Sequence, residues 1–161
     1  MVELERVTEP SDELTALIAE LDGELARCYS DDQRHGLRLH ELFTPNMQFY
    51  VIRRNGEAVG CGGIAFDDGF AELKRMYIRP AARGSGAADV LIVRLEADAR
   101  AAGYNLLRLE TGASQAAALH LYERHGYARC DSFGAYRTLP QHSIETSVFM
   151  EKQTQNSLGR R

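Results

Sequence analysis

AELKRMYIRPAARGSGAADVL, residues 71–91, joins a strand to a helix through a glycine-rich turn. The run Ala71 to Ile78 is strand-like. Pro80 closes it, because proline has no N–H to give to a ladder. Arg83, Gly84, Ser85 and Gly86 form a short loop, and helical spacing begins beyond it. The first N–H groups of a helix have no internal acceptor, and the helix dipole adds partial positive charge there. A turn of this kind after a strand is an anion site, and its natural occupant is a phosphate-bearing ligand. Alternation along the strand puts Glu72, Lys74, Met76 and Ile78 on one face.

Upstream, Leu4 to Val7 reads as a short strand. Ser11 reads as the cap of a helix carrying Leu14, Leu17, Ile18, Leu21 and Leu25 at helical spacing. Residues 28–45 are irregular and polar, with a short helix possible through Leu37, Leu39 and Leu42. Gln48 to Arg53 and Ala58 to Phe66 form a hairpin about Asn55-Gly56. Asp67-Asp68-Gly69 turns the chain into the strand at Ala71. Downstream, a helix runs from about Ser85 to Ala102, with Leu91, Leu95, Ala99 and Ala102 as its apolar stripe and Gly103 as its stop. Leu106 to Thr111 is a buried-type strand, and Gln115 to His125 a second helix. Tyr127 to Cys130 and Ser147 to Lys152 are closing strands around a long loop, 131–146. Residues 153–161 read as a frayed tail, which leaves 1–152 as a single domain. Hairpins come first and strand–helix alternation second. That order is α/β (α+β) in class: a mixed sheet with helices packed on it.

The chain has 161 residues, a net charge of −4, 44% hydrophobic and 26% charged residues. These values fit one soluble globular domain and give no basic stripe for nucleic acid. No apolar run reaches membrane-spanning length, and MVELERVTEPSDEL lacks signal-peptide character. Cys28, Cys61 and Cys130 are odd in number and far apart, so no disulfide framework or zinc site is expected. A cytoplasmic, reduced setting follows. Cys61 and Cys130 are expected to be buried small residues.

Two phosphate motifs fail on particular residues. A P-loop needs Gly-Lys-Ser/Thr where Gly86-Ala87-Ala88 stands. A dinucleotide fingerprint needs Gly or Ala where Asp89 stands, and Glu110 falls too far on for the ribose. The segment instead resembles the coenzyme A motif of the GNAT N-acetyltransferase superfamily, Arg/Gln-x-x-Gly-x-Gly/Ala, here Arg83-Gly84-Ser85-Gly86-Ala87-Ala88. The strand before it looks like that family's fourth strand. The pattern Ala118-x-x-Leu121-Tyr122-x-x-x-Gly126-Tyr127 after LLRLET looks like a second family element. The resemblance covers about residues 48–152, and LLRLETGASQAAALHLYERHGY (106–127) is similar to small bacterial members.

The resemblance implies a GNAT fold: a mixed, mostly antiparallel sheet of six to seven strands, helices on both faces, splayed between the fourth and fifth strands. It implies acetyl-CoA as co-substrate, no metal, and direct acetyl transfer to a primary amine. The amides of Arg83, Gly84, Ser85, Gly86, Ala87, Ala88 and Asp89 would surround the pyrophosphate, with Gly84 and Gly86 letting the backbone approach. Met76, Tyr77 and Ile78 would bind the coenzyme by main chain, the Met76 N–H acting as oxyanion donor. Tyr122 would be the general acid and Glu72 the leading base, with Glu110 or a water chain as alternatives. Two positions depart from the family. Asp89 is a carboxylate beside the phosphates and is expected to point outward. Gln115 replaces a common Asn near the pantetheine arm. His120 and His125 read as surface or cap residues on the second helix.

The acceptor would meet residues 27–45 and 131–146, which offer Tyr29, Asp31, Asp32, Arg34, His35, Phe133, Tyr136 and Glu145, with His40 and His142 nearby. Acids and bases together point to a small amino compound. A protein amine is the alternative acceptor, and a non-catalytic acyl-CoA-binding module the alternative class. A homodimer is common in the family, but no residue specifies one.

Overall fold

The structure, a computed structural model, describes residues 1–154. It follows the expected order with small shifts at the ends of elements. Strand β1 (Val2–Val7) pairs antiparallel with β2 (Met47–Arg54), and β2 with β3 (Glu57–Phe66). Asn55 and Gly56 both have positive φ, 53° and 81°, as a two-residue hairpin turn requires. Helix α1 (Asp12–Ala26) begins at Ser11, whose Oγ accepts from the Leu14 N–H at 3.1 Å. Its stripe of Leu14, Leu17, Ile18 and Leu21 packs on Phe49, Val51 and Cys61. On the opposite face of the sheet, helix α2 (Ala87–Ala101) buries Leu91, Ile92, Leu95 and Ala99 against Tyr50, Ile52, Ile64 and Leu73. Ala102 is exposed beyond the end of this helix, and Ile92 takes its expected place in the stripe.

The decisive irregularity lies in β4 (Ala71–Ile78). Its register with β3 runs Cys61↔Tyr77 and then Gly63↔Lys74, so Arg75 and Met76 together face only Gly62. Two residues against one is a β-bulge, and Arg75 takes a left-handed φ of 55° to make it. Gly62 is the small residue that lets the bulge close. A Cβ there would stand 2.4 Å from Met76 Sδ. The bulge overturns the expected alternation. Glu72 and Lys74 lie on the α1 side of the sheet, whereas Met76 and Ile78 pack with the α2 cluster.

β4 pairs in parallel with β5 (Leu106–Gly112) only over Ala71–Leu73 and Leu107–Leu109. Past the bulge the two strands diverge. β5 pairs along its whole length with β7 (Ser147–Gln153), and β6 (Ala128–Arg129) forms the outer edge. The result is one seven-stranded mixed sheet, ordered β1-β2-β3-β4-β5-β7-β6. Helix α3 (Ala116–Arg124) covers the far half on the α2 side.

Three sequence expectations are corrected. The strand expected over Tyr127 to Cys130 is only two residues long, because the Tyr127 N–H is held by the Tyr122 carbonyl of α3 at 3.0 Å. The 131–146 loop holds a 3-10 turn (Gly134–Thr138) and a short helix α4 (Gln141–Ile144). It is pinned by an aromatic cluster of Phe70, Phe133, Tyr136 and Phe149 with centroids 5.2–5.6 Å apart. Order also extends past residue 152, since Thr154 is buried and its N–H donates to the Asn105 carbonyl at 2.7 Å. The rest of the expected tail, 155–161, lies outside the described residues.

Candidate active site

Pro80 opens a single 3-10 turn, and the chain then reverses into α2 through Gly84 and Gly86. Both glycines have left-handed φ, 78° and 85°, which side-chain-bearing residues rarely adopt. No atom lies within 4 Å of a Cβ built on either one, so the space above the turn is open. Among the described residues, no backbone carbonyl accepts from the N–H groups of Gly84, Ser85 or Gly86. The first-turn amides of Ala87, Ala88 and Asp89 have no intrahelical acceptor either. Unpaired amides above an open, glycine-lined turn fit a pyrophosphate. The Arg83 guanidinium is occupied elsewhere, donating to the Ile78 carbonyl at 3.0 Å and to Glu24 at 3.1 Å. Its backbone N–H is also taken, donating to the Pro80 carbonyl at 3.2 Å, so the free amides begin at Gly84.

Asp89 does not point outward. Its carboxylate turns to the C-terminal end of α3, where it meets Arg124 Nη2 and His125 Nε2, each at 2.7 Å. Partial burial pushes its pKa up, but the hydrogen bonds from His125 and Arg124 outweigh this and hold it below the usual carboxylate range. His125 is therefore a cap with a partner, and His120 is exposed as expected.

Where β4 and β5 part, a cleft opens to solvent. Glu72, Met76, Glu110, Gln115, Tyr122 and Tyr136 are on its wall. Glu72 is 7% exposed and accepts from the Tyr136 hydroxyl at 2.6 Å and from Lys74 Nζ at 3.2 Å. Arg75, the other basic residue beside it in sequence, pairs with Asp22 of α1 instead. Glu110 accepts from Ser147 Oγ at 2.6 Å, and burial raises its pKa. Burial, with Glu110 nearby, also pushes the Tyr122 phenol upward, so it stays protonated at neutral pH. Gln115 is the N-cap residue of α3, and its Oε1 accepts from Tyr29 Oη at 3.4 Å. The Tyr77 side chain points to α1, where its hydroxyl donates to Glu20, which leaves only its backbone for the cleft side. Cys61 is buried, with a thiol pushed up to about 12 by that burial, and Cys130 is only partly buried. Neither has nucleophile character.

The two expected acceptor segments meet each other. Gln33 Nε2 donates to the His142 carbonyl at 3.3 Å, and His142 Nε2 lies 2.8 Å from Asp32 Oδ2. His35 Nε2 is 2.7 Å from the Ser143 carbonyl, and its ring stands edge-on to Tyr136 at 5.7 Å. This clasp roofs one end of the cleft. Asp31 and Asp32 face outward on it, Glu145 is held by Gln33 at 3.4 Å, and Phe133 packs beneath it rather than lining the cleft. Sequence reading missed Arg75 as a cleft residue. Nothing local marks the bulge that puts it there.

Comparison with known proteins agrees with this geometry. A family model described as "Acetyltransferase (GNAT) family" matches residues 14–127. An IAA acetyltransferase of Azospirillum brasilense is 42% identical over 153 residues, covering 94% of this chain and 97% of that protein. The uncharacterized N-acetyltransferase YsnE of Bacillus subtilis is 33% identical, covering 74% of this chain and 78% of that protein. A putative acyl-CoA N-acyltransferase of Klebsiella pneumoniae, of solved structure, is 38% identical with a TM-score of 0.81, over 96% of this chain and 99% of that one. By the family model, by these relatives and by a sheet that splays at the fourth strand, the chain belongs to the GNAT family of acetyltransferases.

Proposed function

We propose that this protein transfers an acetyl group from acetyl-CoA to the primary amine of a small molecule. The observation that carries the reading is the cleft itself: Glu72, Glu110, Tyr122 and Met76, a bulge residue without a register partner, line it together. Acetyl-CoA supplies an activated acyl group as a thioester. The new bond is nitrogen to carbonyl carbon, and the bond lost is carbon to sulfur. The amine gives up one proton and the departing thiolate takes one.

The chain's own residues supply the rest. The amides of Gly84 to Asp89 hold the pyrophosphate, and the backbone of Met76, Tyr77 and Ile78 orients the arm. The Met76 N–H, at the bulge where Met76 has no register partner, is the donor for the charge that develops on the thioester oxygen. Glu72 or Glu110 accepts the amine proton, directly or through water. Glu110 is the better poised of the two, because burial moves its pKa toward neutrality. Glu72 already accepts two hydrogen bonds on one oxygen. Tyr122 Oη holds the proton for the sulfur. The clasp between residues 30–36 and 141–145 supports a small acceptor, since a protein side chain would need an open groove. The 42% identical relative's name, IAA acetyltransferase, supports the small size of the acceptor alone.

A thiol-release assay with acetyl-CoA tests this against amino acids, polyamines, aminoglycosides and peptide amines. Release is expected with a small amine. Tyr122→Phe should then lower turnover by about two to four powers of ten while coenzyme affinity holds. Release with peptide amines alone would overturn the small-molecule reading. Tight coenzyme binding without release from any amine would make the protein a binding module.

A further inference from the structure

One cation in the cleft is short of acceptors. Arg75 lies on the cleft wall at the bulge, and its side chain is only 4% exposed. A guanidinium carries five N–H donors in a fixed fork. Among the described residues its hydrogen bond is to a single partner, from Nη2 to Asp22 Oδ1, and its buried Nε has no acceptor. Asp22 is itself half exposed on α1 and is not part of the cleft wall. The strap residue Gly36 is shaped around the guanidinium without bonding to it, since a Cβ there would lie 1.8 Å from Nη1. A buried cation left in this state is costly, and an anion that meets its free donors would offset that cost.

Its neighbourhood has the same bias. Arg34 also lines the cleft, with its side chain 26% exposed and one Nη held by Asp31 outside the wall. Lys74 is a third cation there, tied to Glu72 and Tyr136. Against these three stand two carboxylates, Glu72 and Glu110. A plain alkylammonium has little to gain from such a wall. An acceptor with an amine at one end and an oxyanion at the other matches both parts.

We propose that the acceptor is an amine that also bears a carboxylate or phosphonate group, which Arg75 holds with Arg34 at the mouth while the amine reaches toward Glu72 and Glu110. The proposal rests on the cleft being the acceptor site. It adds a class of substrate and two specificity residues to that reading. Arg75 provides the planar two-pronged contact that such groups favour, and Lys74 remains with Glu72.

The test uses matched series of amino carboxylates, aminoalkylphosphonates and n-alkylamines of equal chain length. Each is titrated by calorimetry into the protein saturated with coenzyme A, a readout that needs no turnover. At least one anion-bearing amine should bind the parent about tenfold or more tightly than its plain alkylamine match. Arg75→Gln and Arg34→Gln should each erase most of that preference and leave the affinity for the alkylamine unchanged. Which anionic series binds tighter tells carboxylate from phosphonate. If Arg75→Gln fails to fold, the strap variant Arg34→Gln decides alone. Equal binding of all three series by the parent, or a preference that survives the substitutions, overturns the proposal. Tight binding of an anionic amine with no thiol released from acetyl-CoA would uphold it and overturn the catalytic reading. Fast acetylation of plain alkylamines without preference would do the reverse.

Discussion

Asp89 shows how one side chain can reverse an expectation. From the sequence, a carboxylate in the first turn of α2 is expected to point outward, away from the phosphates, and removing its charge tightens coenzyme binding only if it feels them. In the structure that charge is already met by Arg124 and His125 at 2.7 Å. Asp89→Asn is therefore expected to change coenzyme affinity by less than about twofold and to cost about 0.5–1 kcal/mol of stability, the size of a partly exposed ion pair. Calorimetry and urea unfolding check the two parts, and a large gain in affinity would show that the pair does not mask the charge. Glu110 makes a prediction in pH. Burial raises its pKa in the folded state above the unfolded value, so the native protein holds the proton more tightly. Its contribution is present below the ordinary carboxylate range and is lost as pH rises through the raised folded value. Glu110→Gln should flatten the fall in stability over that window. If Glu110 is the base, the same substitution should also remove the acidic limb of the rate profile. An unaltered stability slope would mean that Glu110 is already fully ionised on folding.

At the scale of elements, the sequence was most legible where a local rule applies. The Asn55-Gly56 turn, the Ser11 cap and the strand Ala71–Ile78 all stand where turn chemistry, capping and Pro80 put them. The bulge was not legible. Arg75 is not a residue type that announces a left-handed φ, and its cause lies on another strand, in the room left by Gly62. That one feature moved Met76 off the face of Glu72 and brought Arg75 into the cleft. The helical turns of 134–144 were hidden for a related reason, since the aromatic packing of Phe133 and Tyr136 that pins them is a tertiary effect. The glycine-rich turn gives the element-scale prediction. Gly86→Asp combines an unfavourable φ of 85° with a negative charge at the open space above the turn. It should abolish measurable coenzyme binding while the protein stays folded by circular dichroism. Binding that matches the parent in a folded variant would remove the phosphate role from this loop.

Across the whole molecule, the family and its mixed sheet were readable from residues 71–127, because strand, loop and helix follow one another there without interruption. The closure of the acceptor end was not, because the partners in the clasp are more than 100 residues apart, as with Gln33 and His142. The splay has a mechanical side as well. Within the sheet itself, among the described residues, only three register pairs, Ala71–Leu73 with Leu107–Leu109, join the leaf β1–β4 to the leaf β5-β7-β6. The sheet is thus a hinged book, with its spine at one end of the parallel pair and the cleft as the gap between its pages. Backbone amides near the spine should then open to deuterium more readily than those within either leaf, and a ligand seated in the gap should slow the spine most. Such a ligand is a shim. Slower exchange at the spine with coenzyme bound, and no change within either leaf, is the expected result.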